Sequence, residues 1–163
     1  MREECPMRNQ LLDVLRGKGA HLSFTEAVEN FPSAFINVRP PNVPYTPWHL
    51  IEHVRITQWD ILEFIRNPDH VSPPWPQGYW PARETQADKD NWDTTITAYH
   101  RDLEDLIGIV EDPQTDLLAP LPHQPDYTLL REILLVADHT SYHTGELAIL
   151  RQVRDTWPED REM

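Results

Sequence analysis

Proline divides this chain. Of its 16 prolines, Pro40, Pro41, Pro44 and Pro47 precede one segment, Pro68, Pro73, Pro74, Pro76 and Pro81 fill a second connection, and Pro113, Pro120, Pro122 and Pro125 a third. A proline inside a helix removes one backbone donor and clashes with the preceding turn. The long stretches between the clusters, free of proline and almost free of glycine, therefore read as helices, and the clusters as joints. No internal repeat or low-complexity tract interrupts this pattern.

Four helical regions follow. The first covers Met7 to Arg16, breaks at Gly17-Lys18-Gly19, and resumes from Ser23 to Phe31, where Ser23 and Glu26 form a capping-box pattern. The second runs from Pro47 to Arg66 behind a Thr46 cap, with Leu50, Val54, Thr57, Ile61 and Phe64 as its inward stripe. The third spans about Glu84 to Val110, with a seam of Trp92, Ile96, Tyr99, Leu103, Leu106 and Val110. The fourth runs from about Thr128 to Arg154, with Leu129, Ile133, Val136, Thr140, His143, Leu147 and Leu150 on one side. No segment alternates convincingly enough to be a strand. The expected fold is all-α: an antiparallel four-helix bundle with long Pro-rich crossover connections, one domain over residues 1–163 with its core at about 7–157. Connections of roughly fifteen residues exceed what a minimal bundle needs, and such loops are often functional.

Composition narrows the function classes. With 14 basic and 27 acidic residues the formal charge is −13, and no run of Lys/Arg offers a basic patch. Nucleic acid and anionic membranes are thus not expected partners. The lone Cys5 cannot form an intramolecular disulfide, and nothing nearby lowers its pKa toward redox chemistry. The N-terminal stretch has no apolar signal region, and the longest aliphatic run, Ile133 to Ala137, is too short to span a bilayer. A cytoplasmic location is the expectation.

The chemistry sits on histidines. His139 and His143 are four residues apart, one helical turn, so both imidazoles can face one cation. Thr140 follows His139, so the general-base glutamate of an H-E-x-x-H protease is absent. On its own the pair could equally be two hydrogen-bonded histidines. The second helix adds His49 and His53. His53 lies beside the Leu50/Val54/Thr57 stripe, whereas His49 is rotated about 40° further out. A buried imidazole needs partners for both nitrogens. His53 is therefore the expected third ligand, with His49 a spare or outer-sphere candidate. The third helix's seam offers no evident fourth ligand. Three histidines with one open coordination position describe a catalytic rather than a structural site, one that polarises a carbonyl, acidifies water or holds a thiolate.

The segment TPWHLIEHVRITQWDILEF, followed by DHTSYHTGEL, resembles the DinB/YfiT-like superfamily from about Gly19 to Trp157. The resemblance implies a four-helix bundle holding a divalent metal, often zinc or nickel, on one histidine of the second helix and an HxxxH pair of the last. Those positions are His53, His139 and His143 here. His49 departs from the pattern, where a non-coordinating Glu or Gln is usual. Homodimers are common among such proteins. Characterised relatives include thiol S-transferases and a maleylpyruvate isomerase that use mycothiol, bacillithiol or glutathione.

Other residues carry weaker signals. Glu146 and Glu132 share a flank with the histidines and could accept a ring N–H or move a proton, although a solvated carboxylate is the commoner role on so acidic a chain. His123 could cover the site from its loop. Trp75, Tyr79 and Trp80 could wall a pocket, but packing on the bundle's outside is the simpler expectation, as it is for an outward-facing Trp48 and Trp59. Arg55 and Arg131 could fork onto a substrate carboxylate, or be surface charges. Two functional classes follow: a metal-dependent enzyme transferring a low-molecular-weight thiol or hydrolysing a small electrophile, and a non-catalytic metal-binding stress-response or scaffold protein.

Overall fold

Each long helix begins where its sequence supplies a cap. In a computed structural model, which describes residues 6–159, α1 spans Pro6–Leu15, α2 Phe24–Val28, α3 Pro47–Arg66, α4 Lys89–Glu111 and α5 Leu129–Val153. Cys5 lies outside the described residues. Thr46 caps α3 by accepting from the His49 N–H, with Pro47 at the first helical position. Asp88 caps α4 through the Asn91 N–H at 2.8 Å, so this helix starts five residues later than the expected Glu84. Thr128 caps α5. Gly17, at φ +70°, ends the first segment, and a Cβ there would stand 2.7 Å from that of Ser23. The helix after Ser23 stops at Val28 rather than Phe31, because Asn30 takes a positive φ and Pro32 follows.

One expectation fails in the third Pro-rich connection. It holds a short antiparallel hairpin, β1 Pro120–Leu121 and β2 Gln124–Thr128, with Leu121 paired to Gln124 around Pro122-His123. The run is too short to show alternation, and its first strand offers proline where a ladder donor would stand. The chain is mostly helical with this one small sheet among the described residues.

Helix directions depart from a simple antiparallel arrangement. Contacts between α3 and α4 advance together, from Trp48 with Thr95, through Gln58 with Tyr99, to Arg66 with Asp105, so these two helices run parallel. Helix α5 opposes α3, since Leu50 and Val54 share a cluster with Leu147 and Leu150 while Ile61 and Leu62 share one with Leu129 and Ile133. Parallel neighbours require a return path along the whole of α3, about 30 Å for 20 residues. Residues 67–88 make that return, and hydrogen bonds pin them to what they pass: His70 and Tyr79 to Asp60, Ala82 to His49, and Ala87 to Asn37.

The core forms two clusters. One gathers Trp48, Leu50, Ile51, Val54, Trp92, Tyr99, Leu147 and Leu150, the other Leu62, Leu106, Val110, Leu117, Ile133 and Val136. Helix α3 is buried more widely than its expected stripe, because α4, α5 and the return segment each cover part of it. Trp48, expected to face outward, is 8% exposed and donates its indole N–H to Thr95 at 3.2 Å.

Candidate metal centre

Antiparallel α3 and α5 bring three imidazoles to one point. His53, His139 and His143 each offer a ring nitrogen, and these atoms all lie within 4.8 Å of one another. The Nε2 atoms of His53 and His139 are 3.1 Å apart. The three rings meet edge to face, with centroids 4.4 to 4.9 Å apart. His53 and His143 are buried and His139 is half-buried. No fourth His, Cys, Asp or Glu joins the group among the described residues.

Neighbouring acceptors orient two of the rings. His53 donates Nδ1–H to the Tyr79 carbonyl at 2.8 Å, which leaves its Nε2 lone pair facing His139. His143 donates Nδ1–H to Glu146 at 2.6 Å, leaving its own Nε2 free. This is the bonding that fixes the tautomer and orientation of a metal-binding histidine. Burial holds the His53 pKa down at about 4, with a smaller lowering from His143 against the opposing Tyr79 carbonyl. Burial, with His143 and His53 nearby, brings His139 down to about 3. Both rings are therefore neutral near pH 7, as a ligand must be.

The return segment closes one side. Trp80 stacks on His53 with centroids 3.8 Å apart and planes 6° from parallel. Tyr45 also stacks on Trp80, with centroids 5.3 Å apart. Its hydroxyl faces Glu146, and burial followed by the Glu146 charge raises its pKa to about 12. A connected path thus runs from His143 through Glu146 to Tyr45, and by ring contact through Trp80 back to His53. Trp80 is a wall of this site rather than outside packing. Trp75, 72% exposed, is not.

The other expected residues fall elsewhere. His49 is buried, not turned further out: its Nδ1 accepts from the Thr46 N–H at 3.2 Å, and its Nε2–H donates to the Ala82 carbonyl at 3.2 Å. It completes the α3 capping box where Glu or Gln commonly stands, and both nitrogens are occupied. Glu132 is 2% exposed and pairs with Arg131 at 2.6 Å, so it is neither solvated nor bonded to a histidine of the cluster. His123 sits in the hairpin turn, edge-on to Phe64. Phe64 lies eleven residues along α3 from His53, about 16 Å, so His123 does not cover the site. Arg55 forks onto Glu52, and Arg131 also lies over the Tyr127 ring. Trp59 meets His70 edge-on.

The Tyr79 carbonyl and Tyr45 escaped sequence reasoning. A backbone carbonyl has no residue signature, and Tyr45 announces itself only as the residue before the Thr46 cap. No curated protein and no solved structure matches the chain. The sequence model of the DinB superfamily matches residues 20–147, a span that contains all three histidines and most of the helical core, and the chain belongs to that superfamily.

Proposed function

We propose that this protein is a divalent-metal-dependent enzyme of the DinB class whose ion, zinc or nickel, is held by His53, His139 and His143. One observation carries the reading: three imidazoles converge, and two have their outer nitrogens committed to Tyr79 and Glu146 so that Nε2 points inward. Three donors without a fourth leave room for a small molecule on a tetrahedral ion. A cation there supplies Lewis acidity, lowering the pKa of a thiol or water that reaches it. The chain's own residues do the rest. Tyr79 and Glu146 hold the rings, and Trp80 excludes water from one side. The reaction class we favour is transfer of a low-molecular-weight thiol such as bacillithiol, mycothiol or glutathione to a small electrophile, or hydrolysis of one.

Helices α1, α3, α4 and α5 are taken as a four-helix bundle in which α3 and α4 run parallel. A homodimer is favoured by exposed Leu135, Tyr142 and Ile149, which repeat every seven residues on α5. A cytoplasmic setting accords with the absence, among the described residues, of a helix long and apolar enough to cross a membrane.

Elemental analysis of the purified protein tests the site. We expect about one divalent ion per chain, lost in His53→Ala and His143→Ala and kept in His49→Gln. Substoichiometric metal indifferent to the first two substitutions would sink the assignment. Metal-dependent turnover of electrophiles with the three thiols then separates an enzyme from a metal-binding scaffold.

A further inference from the structure

A cavity lies apart from the three clustered histidines. It has a volume of about 180 Å³ and is bounded by the 14–25 segment, α4 and α5. Phe24, Tyr99, Leu103 and Val136 contribute apolar walls, with Phe24 and Tyr99 stacked at 3.9 Å. Val14, Gly19, His21 and Thr25 at its rim are exposed, which gives solvent a way in. Helix α5 serves both places with different faces. Thr140 and Thr144, which line the cavity, each follow one of the histidines, and successive residues diverge by about 100°.

The floor carries an unmet hydrogen bond. Thr144 is 3% exposed, lines the cavity, and its Oγ1 is buried with no hydrogen-bond partner. Buried hydroxyls are nearly always paired, and a lone one costs stability. Thr140 lies beside the Tyr99 hydroxyl. The charged side chain at the rim, Arg16, is committed to Glu111. A charged ligand would lose its hydration here without gaining a counter-charge. A cavity of about 150 Å³ accommodates a molecule the size of benzene, so this volume takes a single ring.

We infer that this cavity is a binding site for a small, neutral, single-ring molecule carrying one hydroxyl or carbonyl, whose ring packs against the Phe24/Tyr99 wall while its oxygen meets Thr144. The site is independent of the metal centre, since none of its lining residues is one of the three histidines or their hydrogen-bond partners.

Phenol and toluene are the probes, titrated by protein-observed NMR into the full chain, with and without chelator. Phenol should bind more tightly than toluene, shift the amides of Thr140, Thr144 and Phe24, and do so equally after metal removal. Thr144→Val keeps shape and removes the hydroxyl; it should weaken phenol about fivefold, the value of one neutral hydrogen bond, and leave toluene unchanged. Ala137→Phe, which fills the cavity, should abolish both. If the variants fold poorly, xenon pressurisation of the unmodified protein reads the same cavity, and xenon should shift the same amides. Absence of binding by phenol, toluene and xenon would overturn the site. Phenol affinity unchanged in folded Thr144→Val would overturn the role of the hydroxyl.

Discussion

The indole of Trp80 lies flat on the imidazole of His53, 3.8 Å away, while the carbonyl of the preceding residue accepts that ring's Nδ1 proton. Two neighbours in the return segment thus hold one histidine by its face and by its edge. Trp80→Ala should lower stability by about 2–3 kcal/mol, less than for a fully buried tryptophan. It should also weaken zinc binding at least tenfold, whereas Trp80→Phe should recover much of both. Urea unfolding and a competition titration against a zinc chelator read the two effects.

Glu146 accepts from His143 at 2.6 Å, and the Tyr45 hydroxyl faces it. Replacing a carboxylate that orients a ligating histidine typically costs 10- to 100-fold in metal affinity. Glu146→Gln should fall in that range, and Tyr45→Phe should cost less than tenfold because the carboxylate stays in place. Zinc affinity indifferent to Glu146→Gln would show that His143 is oriented by packing alone.

His49 supplies a test of pH dependence away from the three histidines. Its Nδ1 accepts from the Thr46 N–H, so the ring must be unprotonated there, and burial lowers its pKa from 6.5. The unfolded chain then binds more protons below pH 6.5, and stability falls as pH drops through that region. His49→Gln can keep an acceptor at the same capping position without titrating. Urea midpoints at pH 7 and pH 5 should differ less in this variant than in the unmodified protein.

Metal removal should expose a larger dependence of the same sign. With His53 at about 4 and His139 at about 3, both below 6.5, neutral rings are favoured in the fold. Their stabilising effect is fully present above pH 6.5, declines as pH falls, and is lost by about pH 3. Chelator-treated protein should therefore lose denaturation midpoint steadily between pH 6.5 and 3. Added zinc at pH 7 should raise it by mass action.

Leu135, Tyr142 and Ile149 stand exposed on one line of α5. If this line joins two copies, Tyr142→Glu should convert a dimer to a monomer in light scattering coupled to size exclusion, without changing helical content. A monomeric unmodified protein at micromolar concentration would remove the proposal.

Much of the frame was legible because its determinants are local. Proline placement, the Thr46 cap and the 3–4 spacing of Leu50, Val54 and Ile61 predict α3 at its observed limits, Pro47 to Arg66. The i, i+4 spacing of His139 and His143 put two imidazoles on one face before any partner was known. The hairpin at 120–128 and the late start of α4 were not legible. Both depend on which of several competing local bonds wins, and Asp88 with Asn91 won at α4.

The linear sequence by itself determined the helices, the acidic character and the three histidines as a candidate set, since periodicity and capping act within a few residues. Only the tertiary structure decided that α3 and α4 run parallel, that His49 is spent on a cap, and that residues 67–88 return over the histidines. It also set Trp80 on His53 and brought Tyr45 beside Glu146, across 27 and 101 positions along the chain. Such pairings come from the path of the return segment and the burial of both partners, and neither quantity is written in the spacing of residues along one helix.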